Sequence, residues 1–112
     1  PLRGVTLAEC AAVAWQAGAE IHERYGIPVF FYEAAARQAK HLNLADVRRN
    51  PVDPDLGGPA LHPSAGASVV GARNFLIAYN IDLDTTDVAV AREIARCIRE
   101  RDGGLPGVKA LG

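Results

Sequence analysis

The stretch with the clearest capacity for chemistry is residues 57–66, which read GGPALHPSAG. Its glycines and prolines interrupt any helical or strand period, so the sequence predicts a loop there. Because most of its side chains are small, a flat ligand can approach the backbone amides closely. The alternative is a plain Gly/Pro connection in front of a strand, and composition alone favours that alternative.

Two ionisable residues accompany this loop. His62 lies inside it, directly before Pro63, and is the one titratable group in a plausible pocket. A loop histidine that makes one local hydrogen bond is the competing interpretation. Arg73 stands between the loop and the apolar run that follows, where it can pair with a ligand carboxylate or form a structural salt bridge.

Other kinds of catalytic or metal site have no support in the sequence. No Ser-His-Asp order, Cys-His pair, Walker loop or GxGxxG motif is present. Cys10 and Cys97 form no CxxC pair and fall on or near the apolar faces of predicted helices, which indicates buried, reduced thiols. The three histidines lack the spacing of metal ligands, so we expect no metal site.

The elements that precede the loop are predicted by capping and periodicity. Thr6 and Glu9 form a capping box in front of an amphipathic helix over residues 7–25, which Gly26 ends. The apolar, aromatic residues 28–32 predict a strand. The alanine-rich residues 33–40 predict a short helix that leaves this strand.

The elements after the loop follow from two further patterns. Residues 67–83 predict a strand that is longer than average and bent near Gly71. Its part over residues 74–82 alternates around an apolar side and is expected to be a buried central strand, and residues 85–101 predict a second amphipathic helix. The whole chain therefore predicts an α/β (α+β) fold, a mixed β-sheet with helices packed against it. We expect both helices to bury apolar side chains against this sheet, namely Leu7, Trp15, Ile21, Val88, Ile94 and Ile98.

Composition narrows the class of protein. The 112 residues suffice for one small domain, and the formal net charge of −1 provides no basic field for nucleic acid or an anionic membrane. No apolar run approaches the length of a membrane span, and no secretory signal precedes the first helix, so we expect a cytoplasmic protein. Because Pro1 stands in place of methionine, we expect the sequence to start at a cut.

Several runs of sequence resemble the formiminotransferase family. The longest is Leu61–Ser68, which continues through Gly71–Leu83. Shorter runs are Arg3–Thr6, Pro28–Arg37, Pro54–Gly57 and Gly103–Gly112. The resemblance keeps its order along nearly the whole chain. It implies the latter part of an N-terminal subdomain, with residues 1–104 in that subdomain and residues 105–112 leading into the second one.

The resemblance also implies a reaction and its ligands. Glutamate formiminotransferases transfer a formimino group from N-formimino-L-glutamate to tetrahydrofolate, the co-substrate, in histidine degradation and one-carbon metabolism. We therefore expect these small molecules as partners, no metal, and a homodimer of the full-length enzyme. The family segment that contacts folate corresponds here to Gly57, Gly58, Pro59, Ala60, Leu61, His62, Pro63, Ser64, Ala65 and Gly66.

Two departures from the family pattern leave a second function open. The family's catalytic histidine belongs to a motif upstream of the stretch where this chain begins, so we expect no catalytic residue within it and no activity from it alone. The chain is also shorter than the family pattern between Arg49 and Pro54. The alternative function is a non-catalytic α/β binding or assembly module that kept the fold. The sequence leaves open whether the donor carries a formimino or a formyl group and whether a cyclodeaminase domain follows.

Overall fold

The computed structural model describes residues 3–112, and the chain divides into two compact units. The first unit ends at Leu76, and the second comprises Ile77–Gly112. The first unit holds helices α1 (Leu7–Tyr25) and α2 (Leu44–Arg49) and strands β1 (Val29–Glu33) and β2 (Ser68–Ala72). The second holds helix α3 (Val88–Ile98).

Helix α1 begins and ends where the sequence predicts. The hydroxyl oxygen of Thr6 accepts a hydrogen bond from the Glu9 amide at 3.2 Å, and the Glu9 carboxylate accepts one from the Thr6 amide at 2.7 Å. At the other end Gly26 takes the left-handed conformation, with φ of 65°, and donates to the carbonyl oxygen of His22 at 2.8 Å. The predicted capping box, helix and glycine cap are therefore confirmed.

Replacing Thr6 with alanine is expected to lower the free energy of unfolding by about 1 kcal/mol, because the Glu9 amide loses its acceptor. The hydrogen bonds from the Thr6 backbone and then its side chain hold the pKa of Glu9 below its ordinary value of 4.5. The contribution of the Glu9 carboxylate to the free energy of unfolding is therefore complete above pH 4.5. It is lost as the pH falls through the lowered pKa of Glu9 in the folded protein. Urea denaturation of the wild type and Thr6→Ala at pH 7 and pH 3 measures these effects. The difference in free energy of unfolding between the two proteins should be smaller at pH 3.

The two strands of the first unit form a parallel pair. Val29 stands opposite Ser68, and the register continues to Glu33 opposite Ala72. Because α1 precedes β1 with only a short connection, the helix packs back across one face of this sheet. The predicted α/β fold class is thus confirmed, and the predicted strand over residues 28–32 lies at β1, one residue later.

The core of the first unit lies between α1 and one face of the sheet. Val29 and Phe31 are fully buried there, with Ala11, Ala14 and Ala72 around them. Gly18 makes this contact possible, since a Cβ atom on it would lie 2.5 Å from Cε1 of Phe31. Trp15, predicted to be buried, is 38% exposed. Its indole N–H donates to the carbonyl oxygen of Ala35 at 2.8 Å, which holds the ring at the edge of the core.

The predicted helix over residues 33–40 is wrong. Glu33 has a φ of 53°, which turns the backbone out of any helical path. The amide of Ala34 then donates to the carbonyl oxygen of Ala72 at 2.9 Å, so this turn is bound to the end of β2. Only a 3₁₀ turn, Ala39–His41, remains of the prediction. The alanine-rich composition is overridden by this tertiary hydrogen bond.

The predicted strand over residues 67–83 is confirmed at its start, where β2 spans Ser68–Ala72, but its central part over residues 74–82 is wrong. Phe75 is 80% exposed and Ile77 is 90% exposed. A strand needs a neighbouring backbone to take its hydrogen bonds, and none of the residues that the structure describes offers one to this segment. The alternating apolar pattern is real, but it does not form a strand without that partner.

Helix α3 is shorter than the predicted range of residues 85–101. Asp87 caps it by accepting a hydrogen bond from the Ala89 amide at 2.8 Å. Ala95 is the buried residue of this helix, and Ile98 is half-buried. Val88 and Ile94, predicted to be buried, are 52% and 43% exposed, and the Cys97 thiol is also exposed. A unit of this size covers only part of an amphipathic helix.

Candidate functional site

The predicted loop, residues 57–66, begins at the amino end of β1. Leu56 forms an isolated antiparallel bridge with Val29, in which the Val29 amide donates to the Leu56 carbonyl oxygen at 3.0 Å. Gly57 then turns the chain with a φ of 92°. A Cβ atom on Gly57 would lie 3.2 Å from Cα of Pro28 and from Cε1 of His22. The backbone angle therefore favours glycine here, and a side chain would also be tightly placed against Pro28 and His22.

Behind the loop lies a buried carboxylate, that of Asp55. Its side chain is 2% exposed, and one oxygen accepts the Phe31 amide at 2.7 Å and lies 3.1 Å from Nδ1 of His41. Its other oxygen accepts a hydrogen bond from Nε2 of Gln38 at 3.0 Å. His41, which is 3% exposed, also stands edge-on to the ring of Phe30, with centroids 5.3 Å apart. Three donors thus surround this carboxylate, as a buried charge requires.

The second half of the loop is a tight turn closed by its own backbone. His62 and Gly66 exchange two hydrogen bonds, of 2.8 Å and 2.9 Å. Within the turn Nδ1 of His62 accepts the Ala65 amide at 3.1 Å and the Ser64 amide at 3.4 Å. Because Nδ1 serves as an acceptor, the neutral ring carries its hydrogen on Nε2, which is the atom left for a ligand. His62 thus makes local hydrogen bonds, as the competing interpretation of this loop histidine expects.

Gly66 closes the turn with a φ of 69°, and a Cβ atom on it would meet nothing within 4 Å. The sequence predicts close approach of a ligand to this loop, and the structure adds a separate reason for glycine at this position. A β-branched side chain at such a φ is strained whatever space surrounds it. Glycine is thus required at Gly66 by the backbone angle, before any ligand is considered.

The first half of the loop has unused hydrogen-bond donors. Among the described residues 3–112, none accepts a hydrogen bond from the amides of Gly57, Gly58, Ala60 and Leu61. Pro59, between them, has no amide hydrogen. All five residues are exposed to solvent. A polar ligand edge can therefore bind these amides without breaking any hydrogen bond of the protein.

A cavity of about 250 Å³ adjoins the loop on the sheet face opposite α1. Leu61 and Ala67 form its wall on the loop side, and Phe30 and Val69 come from neighbouring positions of the two strands. Val47 and Pro51 complete the apolar lining, and Arg48 is the one charged residue that lines it. A cavity of about 150 Å³ already accepts a benzene-sized ring. The site can therefore take a flat apolar group that carries an anionic substituent.

The other candidate residues lie at the opposite end of the sheet. Arg73 follows β2 directly and is exposed, whereas the loop lies at the amino ends of both strands, so the structure does not bring Arg73 to the loop. Near the end of β1 the Arg37 guanidinium lies over the rings of Phe31 at 4.8 Å and Trp15 at 5.6 Å.

Two negative findings apply to the described residues 3–112. No cluster of three or more His, Cys, Asp or Glu side chains there is arranged to hold a metal ion. None of the helices there is long and apolar enough to cross a membrane.

Comparison with known proteins identifies relatives of the whole chain. Residues 1–73 match the family model described as the formiminotransferase domain, N-terminal subdomain. A glutamate formimidoyltransferase from Streptococcus pyogenes serotype M1 is 36% identical over 124 residues, covering 100% of this chain and 42% of the relative. One from Thermoplasma acidophilum is 37% identical over 125 residues, covering 99% of this chain and 41% of the relative.

Longer relatives carry a second activity in their names. A formimidoyltransferase-cyclodeaminase from Sus scrofa is 38% identical over 130 residues, covering 100% of this chain and 24% of the relative. The chain thus spans less than half the length of each of these curated relatives. The family match ends at residue 73, and the structure divides the chain between Leu76 and Ile77. The expected boundary between residues 104 and 105 stays a prediction.

Proposed function

Because this chain belongs to the formiminotransferase family, we propose that it is the folate-binding portion of a glutamate formiminotransferase. The full-length enzyme transfers a formimino group from N-formimino-L-glutamate to tetrahydrofolate, in histidine degradation and one-carbon metabolism. Tetrahydrofolate acts as co-substrate, and no metal takes part. The folate-binding segment is residues 57–66.

The observation that carries this proposal is the set of free amides on an exposed, glycine-rich loop. Gly57, Gly58, Ala60 and Leu61 present these donors without an internal acceptor. A pterin ring is flat and has hydrogen-bonding atoms along its edge, so it suits a backbone that side chains do not shield. His62, the next residue of the same segment, adds the Nε2 hydrogen as a further donor.

The cavity beside Leu61 is a second observation that favours the same ligand. Folate carries a benzoyl ring and a glutamate tail beyond its pterin. The apolar walls at Phe30, Leu61 and Val69 suit the ring, and the Arg48 guanidinium suits a tail carboxylate. The loop and the cavity share Leu61, so one extended ligand can occupy both.

The remaining features of the proposal come with the family. We propose that the enzyme is cytoplasmic, works as a homodimer at full length, and binds its small-molecule substrates without nucleic acid or membrane. Residues 1–104 belong to the N-terminal subdomain in this proposal, and residues 105–112 lead into the second. The proton-transfer residue comes from outside this chain.

The test is titration of the full-length protein that contains this chain with tetrahydrofolate in a calorimeter. We expect saturable binding in the micromolar range that substrates commonly show. Glutamate should then be released from N-formimino-L-glutamate only when tetrahydrofolate is present. Binding without release would favour the non-catalytic binding module, and the absence of binding would refute the folate site.

A further inference from the structure

We propose that Asp55 is a positioning residue that fixes the root of the 57–66 loop in its ligand-binding geometry. This inference rests on the proposed function for the identity of the ligand, tetrahydrofolate. The positioning of the loop root by Asp55 involves only residues of this chain. Asp55 stands two positions before the loop and contacts no proposed ligand group itself.

The Asp55 carboxylate lies against β1, the strand that adjoins the loop root. Asp55 holds the amide of Phe31, in the middle of β1, at 2.7 Å. Its own amide and that of Leu56 both donate to the carbonyl oxygen of Val29, at 2.9 Å and 3.1 Å. The side chain and the backbone of Asp55 therefore join the loop root to the same strand at two positions.

Side chains of residues 38–41 hold residues 53–55 from the other side, and we call this set of contacts the clamp. Gln38 donates from Nε2 both to the Asp55 carboxylate at 3.0 Å and to the Asp53 carbonyl oxygen at 3.1 Å. His41 contacts Asp55 through Nδ1, and Lys40 reaches the Asp53 carboxylate at 2.6 Å. Residues 38–41 and 53–55 are thus held together by four side-chain contacts. Asp53 has a φ of 55°, in the left-handed region that non-glycine residues adopt only occasionally.

Leu56 and Gly57 connect this clamp with the loop. Gly57 follows Leu56 and packs closely against Pro28 and His22, so a shift of the root moves the start of the loop. The free amides begin at Gly57 itself. Their directions are therefore set by the hydrogen bonds that Asp55 and Leu56 make to β1. A ligand that needs several of these amides at once is sensitive to small displacements of the root.

The experiment compares Asp55→Asn with the wild type in the full-length protein, by amide hydrogen exchange and tetrahydrofolate titration. Asparagine keeps the shape but places an NH₂ group toward donors, which leaves a buried amide without an acceptor. We expect the amides of Phe31, Asp55 and Leu56 to exchange at least tenfold faster, while amides inside α1 stay unchanged. The dissociation constant for tetrahydrofolate should rise at least tenfold at a temperature well below unfolding.

The matched control is Ala11→Gly, which weakens α1 at a buried position. Ala11 lies three helical turns before His22, the residue of α1 that Gly57 approaches. It should lower the melting temperature without changing tetrahydrofolate affinity or exchange at the loop root. Should Asp55→Asn not fold, Gln38→Ala removes one donor only, and a rise of about threefold in the same exchange rates is expected. Unchanged exchange at the loop root in a folded Asp55→Asn or Gln38→Ala protein would overturn the inference. The wild-type protein could also fail to bind tetrahydrofolate while Asp55→Asn still speeds amide exchange at the loop root. That result would support Asp55 as the positioning residue and refute the folate ligand instead.

Discussion

Replacing Phe31 with alanine is expected to lower the free energy of unfolding of this chain by about 3–5 kcal/mol. The Phe31 side chain is fully buried between α1 and the sheet, and α1 approaches it closely only because residue 18 is glycine. Truncation leaves a cavity that α1 cannot fill, and it also removes the ring beneath the Arg37 guanidinium. Thermal and urea denaturation followed by circular dichroism measure the loss.

The matched control is Ile77→Ala, because the Ile77 side chain is 90% exposed. We expect a change within about 0.5 kcal/mol there, as for other surface substitutions. Phe31→Leu provides a milder variant if the alanine protein is unfolded at all temperatures. Equal losses for Ile77→Ala and Phe31→Leu would contradict the placement of the core between α1 and the sheet.

The difference between these two positions shows how far sequence patterns predict this fold. Helix α1 could be predicted to the residue, because its start, its stripe and its end all depend on local chemistry. Thr6 and Glu9 are three residues apart, and the Gly26 cap acts within one turn. Local signals of this kind do not require knowledge of the rest of the chain.

The two failed elements depend on distant parts of the chain. Residues 33–40 have a helical composition, yet the Ala34 amide binds the Ala72 carbonyl oxygen, 38 positions further on. Residues 74–82 have a strand pattern but no neighbouring backbone among the described residues to bind. In both cases the side chains alone indicate one structure and the available hydrogen-bond partners select another.

The candidate site divides in the same way. Glycine and proline predict the loop itself, and its bounds need no tertiary contact to be recognised. The clamp around Asp55 was missed because Gln38 and His41 lie 17 and 14 positions away in the sequence. Its one sequence signal is an aspartate that directly follows a proline and stands two positions before the glycine-rich loop. That signal does not say which strand the carboxylate binds.

Replacing Gly66 with valine is expected to weaken tetrahydrofolate binding by the full-length protein at least tenfold, which corresponds to about 1.4 kcal/mol. Gly66 has a φ of 69° and closes the turn through two hydrogen bonds with His62. A β-branched residue avoids this angle, so the turn opens and the His62 ring loses the amides of Ser64 and Ala65. The loop would then present its donors in a different arrangement. Calorimetric titration of both proteins measures the change.

The control for backbone strain is Gly4→Val. Gly4 also has a positive φ, of 84°, and open space around its Cβ position, but it lies before α1 and far from the loop. Because α1 runs back along β1, Gly4 stands toward the end of the sheet opposite the loop root. Both substitutions should therefore lower stability to a similar extent, whereas only the one in the loop should change the dissociation constant. Equal affinity in folded Gly66→Val and Gly4→Val proteins would leave residues 57–66 as a plain connection between β1 and β2.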